Sequence, residues 1–262
     1  MTVSNHASGA GDNRGCYIYG IVPADVEPAP DARGVGDPPG KIEVVRHDKI
    51  AALVSEIDVS KPLGKPEDLM AHQRLLDAAV AETPVLPLRF GAVMSGPGAV
   101  AEELLAPAHD EFAAALSELE GRAEYVVKGR YDEDAILREV LSENPEADSL
   151  REQIRAVGDE DATRDQRIQL GEMINEAVTA KREADTRKLG DALEPHCIAS
   201  KVREPTHEED AANVAVLAET GKQADLEQAV GDLARDWEGR VDLRLLGPMA
   251  PYDFVVTPAP EG

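Results

Sequence analysis

Oxygen and imidazole donors crowd together at two places in this chain, His207-Glu208-Glu209-Asp210 and His109-Asp110-Glu111. Oxygen-rich sets of this kind hold hard cations, but a cage needs further ligands from a second segment at matching spacing, and neither cluster has one. The first reads as a solvated loop between strands and the second is no more specific. Gly34–Lys41, "GVGDPPGK", fails as a phosphate-binding loop. The first glycine of that pattern would fall at Val35, and Lys41 is followed by Ile42 where Ser or Thr is needed. Cys197 directly follows His196, yet side chains adjacent on a strand point to opposite faces, which makes them a poor nucleophile and base. His72 sits between Leu69 and Leu76 on the apolar side of an expected helix, where a hydrogen-bonded core histidine is the common case. There is no nucleophile elbow, CxxC pair or HExxH, so no catalytic centre is visible and neither enzymatic activity nor a cofactor or metal is expected.

The elements that would carry these residues need a core, and 262 residues with 42% apolar content can build one or two. Acidic residues number 51 against 27 basic, a formal net charge of -24 that repels nucleic acid and anionic lipid and suits a protein kept soluble. No apolar run reaches the about 18 residues of a membrane helix, and residues 1–15 lack the apolar centre of a signal peptide. A cytoplasmic protein with a disordered leader is expected, its two cysteines, Cys16 and Cys197, buried as free thiols on strands.

"CYIYGIV" reads as a first strand, "KIEVVRH" and "IAALVSEI" as a hairpin turning near Asp48, and residues 66–82 as a helix burying Leu69, Leu76 and Val80. "TPVLPLRFG" returns to extended structure, its prolines fitting an edge, and helix follows over 98–120 with a break near Pro107. The second half runs strand (123–129), long helical stretch, strands "HCIASKV" and "ANVAVLAE", helix, and strand "RVDLRLLG". Leu226, Val230, Leu233 and Trp237 mark the face of that last helix. This order is the split βαβ of a ferredoxin-like domain with a lengthened first crossover. The expected architecture is α+β with two domains: leader 1–15, an N-terminal α+β domain 16–120, a ferredoxin-like domain 121–256 and a tail 257–262. The crossover carries a narrow stripe of Leu170, Ile174 and Ala177 and the charge pairs Glu160/Arg164 and Glu183/Arg187. It is either a projecting arm or a helix packed along its own domain, and only the arm implies a partner.

Three segments, "YIYGIV", "PVLPLRFG" and "RLLGPMAPYDFV", resemble in order and spacing the gas vesicle protein L and F family, from Tyr17 to Val256. The family often has an aromatic after the Gly-Pro, where this chain has Met249. The resemblance implies a non-enzymatic gas vesicle assembly factor or minor structural protein, cytoplasmic and associated with the vesicle. Its implied partners are the major hydrophobic shell protein and other accessory proteins. Arg89, Phe90, Gly91, Leu246, Gly247, Pro248, Tyr252 and Phe254 carry over as family-motif and interaction candidates. Read from the residues, Gly247 and Pro248 turn the chain after the last strand and Tyr252 and Phe254 cover the core. Arg89, between Leu88 and Phe90, must reach solvent or find an acid, where it would pin the two domains. Strand addition at the edge of the second sheet, with "ANVAVLAE" as that edge, is the expected mode of binding. The alternative is a small-molecule-binding or regulatory module on a ferredoxin-like sheet.

Overall fold

The computed structural model describes residues 13–159 and 162–255, a mixed helix and sheet fold with two antiparallel sheets. The described residues up to Gly121, together with those from Met249 onward, form one compact unit, and Arg122–Pro248 form the other. The stretch after the last strand therefore belongs to the first unit, although the sequence reading assigned 249–256 to the second domain. The expected leader and tail lie largely outside the described residues, but Arg14 and Gly15 are already in strand.

In the first unit, β1 (Arg14–Pro23) is flanked by β3 (Ile50–Asp58), which continues to β2 (Ile42–His47). The hairpin between β2 and β3 turns at Asp48, whose φ of 50° Asp tolerates. Strand β1 is buried from Gly15 to Val22, as expected of a central strand covered on both faces. Between Ile18 and Gly20 the register slips, so Tyr19 is an extra residue in the ladder and its side chain is re-aimed. Helix α1 (Pro66–Val80) begins with proline at its first position. Two short strands, β4 (Leu86–Pro87) and β5 (Val93–Met94), pair with the far side of β1. Gly20 allows that approach, since a Cβ there would lie 2.7 Å from the Leu86 carbonyl oxygen. Helix α2 (Pro97–Ala99) runs into a π-helical turn (Val100–Leu105), and after a break α3 (His109–Leu119) closes the unit.

The buried face of α1 is Asp68, His72, Leu76 and Val80, one residue per turn; Leu69, expected in the core, is 49% exposed. A polar pair thus occupies half of that face. The Asp68 carboxylate accepts from the backbone N–H groups of Gly36 (2.9 Å), Gly64 (3.1 Å) and Lys65 (3.2 Å). It fastens the Pro- and Gly-rich "GVGDPPGK" segment to the start of the helix. These bonds, the Gly36 N–H first, hold its pKa below the ordinary carboxylate value. Asp68→Ala should cost about 2 kcal/mol at pH 7, by loss of a cap and of a buried acceptor. A group with a lowered folded pKa stabilises above its unfolded pKa and loses that contribution as pH falls through the folded value, so the deficit should shrink in acid. Urea titrations of both chains at neutral and acid pH check this.

In the second unit, β6 (Arg122–Tyr131) leads into α4 (Glu133–Glu143), α5 (Pro145–Val157) and the 30-residue α6 (Arg164–Leu193). Asp132 caps α4 through the Ala135 N–H, Asn144 caps α5 through the Ala147 N–H, and Gly158 ends α5 at φ 69°. Then come β7 (Ala199–Val202), β8 (Asp210–Glu219), α7 (Gln223–Asp236) and β9 (Val241–Met249). Across the sheet the order is β7-β8-β6-β9. The "ANVAVLAE" segment, expected at the edge, lies in β8 between β7 and β6 and is buried from Ala211 to Ala218. A run of mostly Ala and Val is what a strand covered on both faces needs, and the edges are β7 and β9.

Helix α6 packs against α4, α5, α7 and β8, so the choice between arm and packed helix falls to the packed one. Asp185, Leu189 and Leu193 are buried in its C-terminal half, while Leu170, Ile174 and Ala177 of the expected stripe are half-buried. Lys181 bridges Glu139 (2.6 Å) and Glu143 (2.7 Å) of α4. Glu160 lies outside the described residues, and no ion pair joins Glu183 to Arg187 among them. Cys197 is half-buried and follows a 3-10 turn (Glu194–His196) ahead of β7, so the expectation of a buried strand thiol holds only for Cys16. Both thiols are free, and burial pushes that of Cys16 up to about 11.

Candidate functional site

The first, middle and last of the three distinctive segments meet in the first unit around one histidine. Helix α1 presents His72 into the core at 3% exposure, and β1 brings Tyr17 and Tyr19, their ring centroids 4.8 Å apart. Phe90 packs edge-on against both Tyr17 (5.8 Å) and His72 (5.7 Å). The chain end returns Tyr252 to the same ring, 6.4 Å between centroids.

Hydrogen bonds run through this cluster in one chain. The Gly91 N–H donates to the Tyr17 hydroxyl (3.1 Å), and that hydroxyl lies 2.9 Å from His72 Nδ1. Tyr17 is fully buried, so its proton needs an acceptor, and Nδ1 is the one in place. This assigns the neutral tautomer with its proton on Nε2, which then donates to the Tyr252 hydroxyl at 2.8 Å. Burial lowers the His72 pKa to about 4 and raises that of Tyr17, so the cluster is uncharged at neutral pH. A second bond ties the chain end to the same helix, from the Ala250 N–H to Asp77 Oδ1 (3.1 Å), the Asp77 carboxyl being raised by burial. Tyr19 turns its hydroxyl the other way, to Ser55 Oγ and the Val35 N–H, both at 2.8 Å.

Of the eight family-motif candidates, Phe90, Gly91 and Tyr252 belong to this cluster. Gly91 has φ 94°, a conformation for which glycine is the natural residue. Phe254 is half-buried beyond a turn closed by the Phe254 N–H on the Pro251 carbonyl. Arg89 is exposed and makes no ion pair among the described residues, so it reaches solvent. Leu246, 41% exposed, Gly247 and Pro248 lie on β9 in the second unit and are not part of the cluster. Gly247, at φ 129°, crosses directly over Glu124 and Tyr125 of β6.

Glu124 went unnoticed in the sequence. It is an acid fully buried on central strand β6, and Arg203 bonds it at 2.6 Å. Asp185 is likewise buried on α6, accepting from Tyr131 (2.6 Å) and Arg240 (2.8 Å). Asp185 shares its helix face with Leu189 and Leu193, whereas Glu124 alternates with Arg122, Val126 and Lys128 on its side of β6, a pattern that reads as solvated. The His207–Asp210 segment is a self-closed loop: the Asp210 carboxylate accepts from Thr206 N, Thr206 Oγ1 and His207 N at 2.7, 2.9 and 3.0 Å. Among the described residues no group of three or more His, Cys, Asp or Glu could hold a metal, and no helix is long and apolar enough to cross a membrane. His72 is a neutral base with hydroxyls on both nitrogens and its ring sealed from solvent. Such an arrangement locks three chain segments together.

The same segments carry the likeness to known proteins. A family model described as Gas vesicle synthesis protein GvpL/GvpF matches residues 15–256. Gas vesicle protein F of Streptomyces sp. (strain CB03234) is 35% identical over 243 residues, covering 91% of this chain and 98% of that protein. Gas vesicle protein F of Dolichospermum flosaquae is 24% identical over 240 residues, covering 91% and 96%. Among solved structures, gas vesicle protein GvpF from Anabaena sp. PCC7120 superposes with a TM-score of 0.74 at 24% identity, over 93% of this chain and 99% of that one. GvpF from Microcystis aeruginosa gives 0.70 over 92% and 98%. The two structures carry the fold, while the family model, which spans the whole cluster and β9, and the Streptomyces relative place this chain in the gas vesicle synthesis protein GvpL/GvpF family.

Proposed function

We propose that the chain serves gas vesicle formation as a non-enzymatic assembly factor or minor structural component, and that it binds the major hydrophobic shell subunit. The observation that carries this reading is the family match over residues 15–256, reinforced by a relative named Gas vesicle protein F of which 98% is covered. The enclosed His72 cluster supports a structural role for the motif residues. Other accessory proteins of the vesicle are the further partners, and the vesicle in the cytoplasm is the place of action. A net charge of -24 suits a factor that keeps an apolar subunit from aggregating.

The second unit is read as ferredoxin-like. Its chain order of strand, helices, strand, strand, helix, strand and its sheet order of β7-β8-β6-β9 support a split βαβ with α4–α6 as the lengthened crossover. A domain boundary at Gly121 goes with that reading and is supported by the division of the described residues there.

The full-length chain, mixed with purified major shell subunit as detergent is diluted away, should hold that subunit in the supernatant as a complex at micromolar concentrations. Sedimentation of the subunit alone, with the folded chain left behind, would overturn shell-subunit binding.

A further inference from the structure

The second unit carries a groove of about 860 Å³ between α4, α6 and the loop before β8. Its floor is apolar: Ile136 is buried, and Leu137, Ile174 and Val178 are half-buried along the two helices. Gly171 lies at one end, inside a helix where glycine costs about 1 kcal/mol against alanine, and nothing lies within 4 Å of where its Cβ would be. The missing side chain is a notch through which another backbone can come close to α6.

The opposite wall is preformed. Arg182 donates to the carbonyls of Asp210 (2.6 Å) and Glu208 (2.7 Å), and the Tyr131 N–H donates to that of Glu209 (2.8 Å). Arg182 therefore fastens the loop, and Glu209 is paired with Arg130. Glu133 and Glu208 remain on the rim with no ion pair among the described residues.

We infer that this groove is a docking site for a partner's amphipathic helix, apolar on the face that enters and flanked by Lys or Arg. The two rim carboxylates and the acidic surface as a whole select the basic flank. The helical form follows from the walls. Among the lining residues only Tyr131 belongs to a strand and its N–H is already used, so an entering backbone must satisfy its own hydrogen bonds. From Gly171 to Arg182 the α6 wall runs roughly 16 Å, three turns of a helix. The inference rests on the assembly reading only for which vesicle component supplies the helix; the surface and its chemistry are tested without it.

The probe is a fluorescent 16-residue Leu/Lys peptide patterned as an amphipathic helix, against a scrambled peptide of the same composition, both titrated with the full-length chain in anisotropy measurements. The patterned peptide should bind about tenfold more tightly than the scrambled one, and Ile174→Asp with Val178→Asp should remove that advantage. Gly171→Leu guards against misfolding, because it raises helix propensity while filling the notch, and it too should weaken binding about tenfold. Glu133→Gln with Glu208→Gln should weaken the patterned peptide and flatten its salt dependence. Equal binding of the two peptides, or binding indifferent to Gly171→Leu, overturns the inference.

Discussion

Gly247→Ala is expected to destabilise the second unit by about 3–5 kcal/mol, combining a backbone conformation nearly reserved for glycine with overpacking. At φ 129° a side chain is strained whatever the space around it, and here there is none. A Cβ would lie 2.8 Å from Tyr125 Cδ1, 2.9 Å from the Glu124 carbonyl oxygen and 3.3 Å from Tyr125 Cα. Two of those three atoms are backbone of β6, which is paired with β8 along its length, so neither can give way without opening the sheet. Gly231 is the control. It lies in the interior of α7 with nothing within 4 Å of its Cβ position, and Gly231→Ala should stabilise by about 0.5–1 kcal/mol through helix propensity. Urea unfolding of the three chains compares them directly. A Gly247→Ala chain within about 1 kcal/mol of the parent would mean that β9 can lift off β6 at little cost, and the steric argument would fail.

What the sequence makes legible follows from where the physics is local. The α7 face of Leu226, Val230, Leu233 and Trp237 is a one-helix pattern, and all four are buried. Strand β1 is equally plain, with β-branched and aromatic residues ending at a proline. Misreadings arise where burial is not apolar or not local. Helix α1 buries Asp68 because the Gly36 N–H meets it from another part of the chain, and hydropathy passes over it in favour of Leu69; His72, expected as a hydrogen-bonded core histidine, is one. The run in β8 reads as an edge because strand order is decided by the strands that flank it, which lie elsewhere in the chain. Cys197 follows a turn that Pro195 helps to close, and apolar neighbours masked it. The candidate residues divide on the same principle. Phe90, Gly91 and Tyr252 could be named from their segments, but their meeting at His72 spans separations of up to 180 residues and needed coordinates.

Acidification from pH 7 to 5 is expected to weaken the first unit through His72, and His72→Phe should remove that dependence. The folded pKa is about 4 and the ordinary value 6.5, so between them the unfolded chain binds a proton that the folded chain excludes. Stability therefore falls as pH falls across this window, by about 2 kcal/mol from pH 7 to 5 and about 3 in all, and the slope from this group ends below the folded pKa. In His72→Phe a ring still fills the space between Tyr17, Phe90 and Tyr19, so the loss at pH 7 should come from hydrogen bonding. The buried Tyr17 hydroxyl loses its acceptor and the Tyr252 hydroxyl loses its bond to Nε2, together about 2–4 kcal/mol. Two consequences separate this from plain destabilisation. The gap between parent and variant should narrow by about 2 kcal/mol from pH 7 to 5, because only the parent is penalised by acid. Adding Tyr17→Phe to the variant should recover part of the loss, because a donor with no acceptor is then gone. An undiminished acid slope in His72→Phe would assign it to other groups, and no recovery in the double variant would mean that the Tyr17 proton was never given to Nδ1.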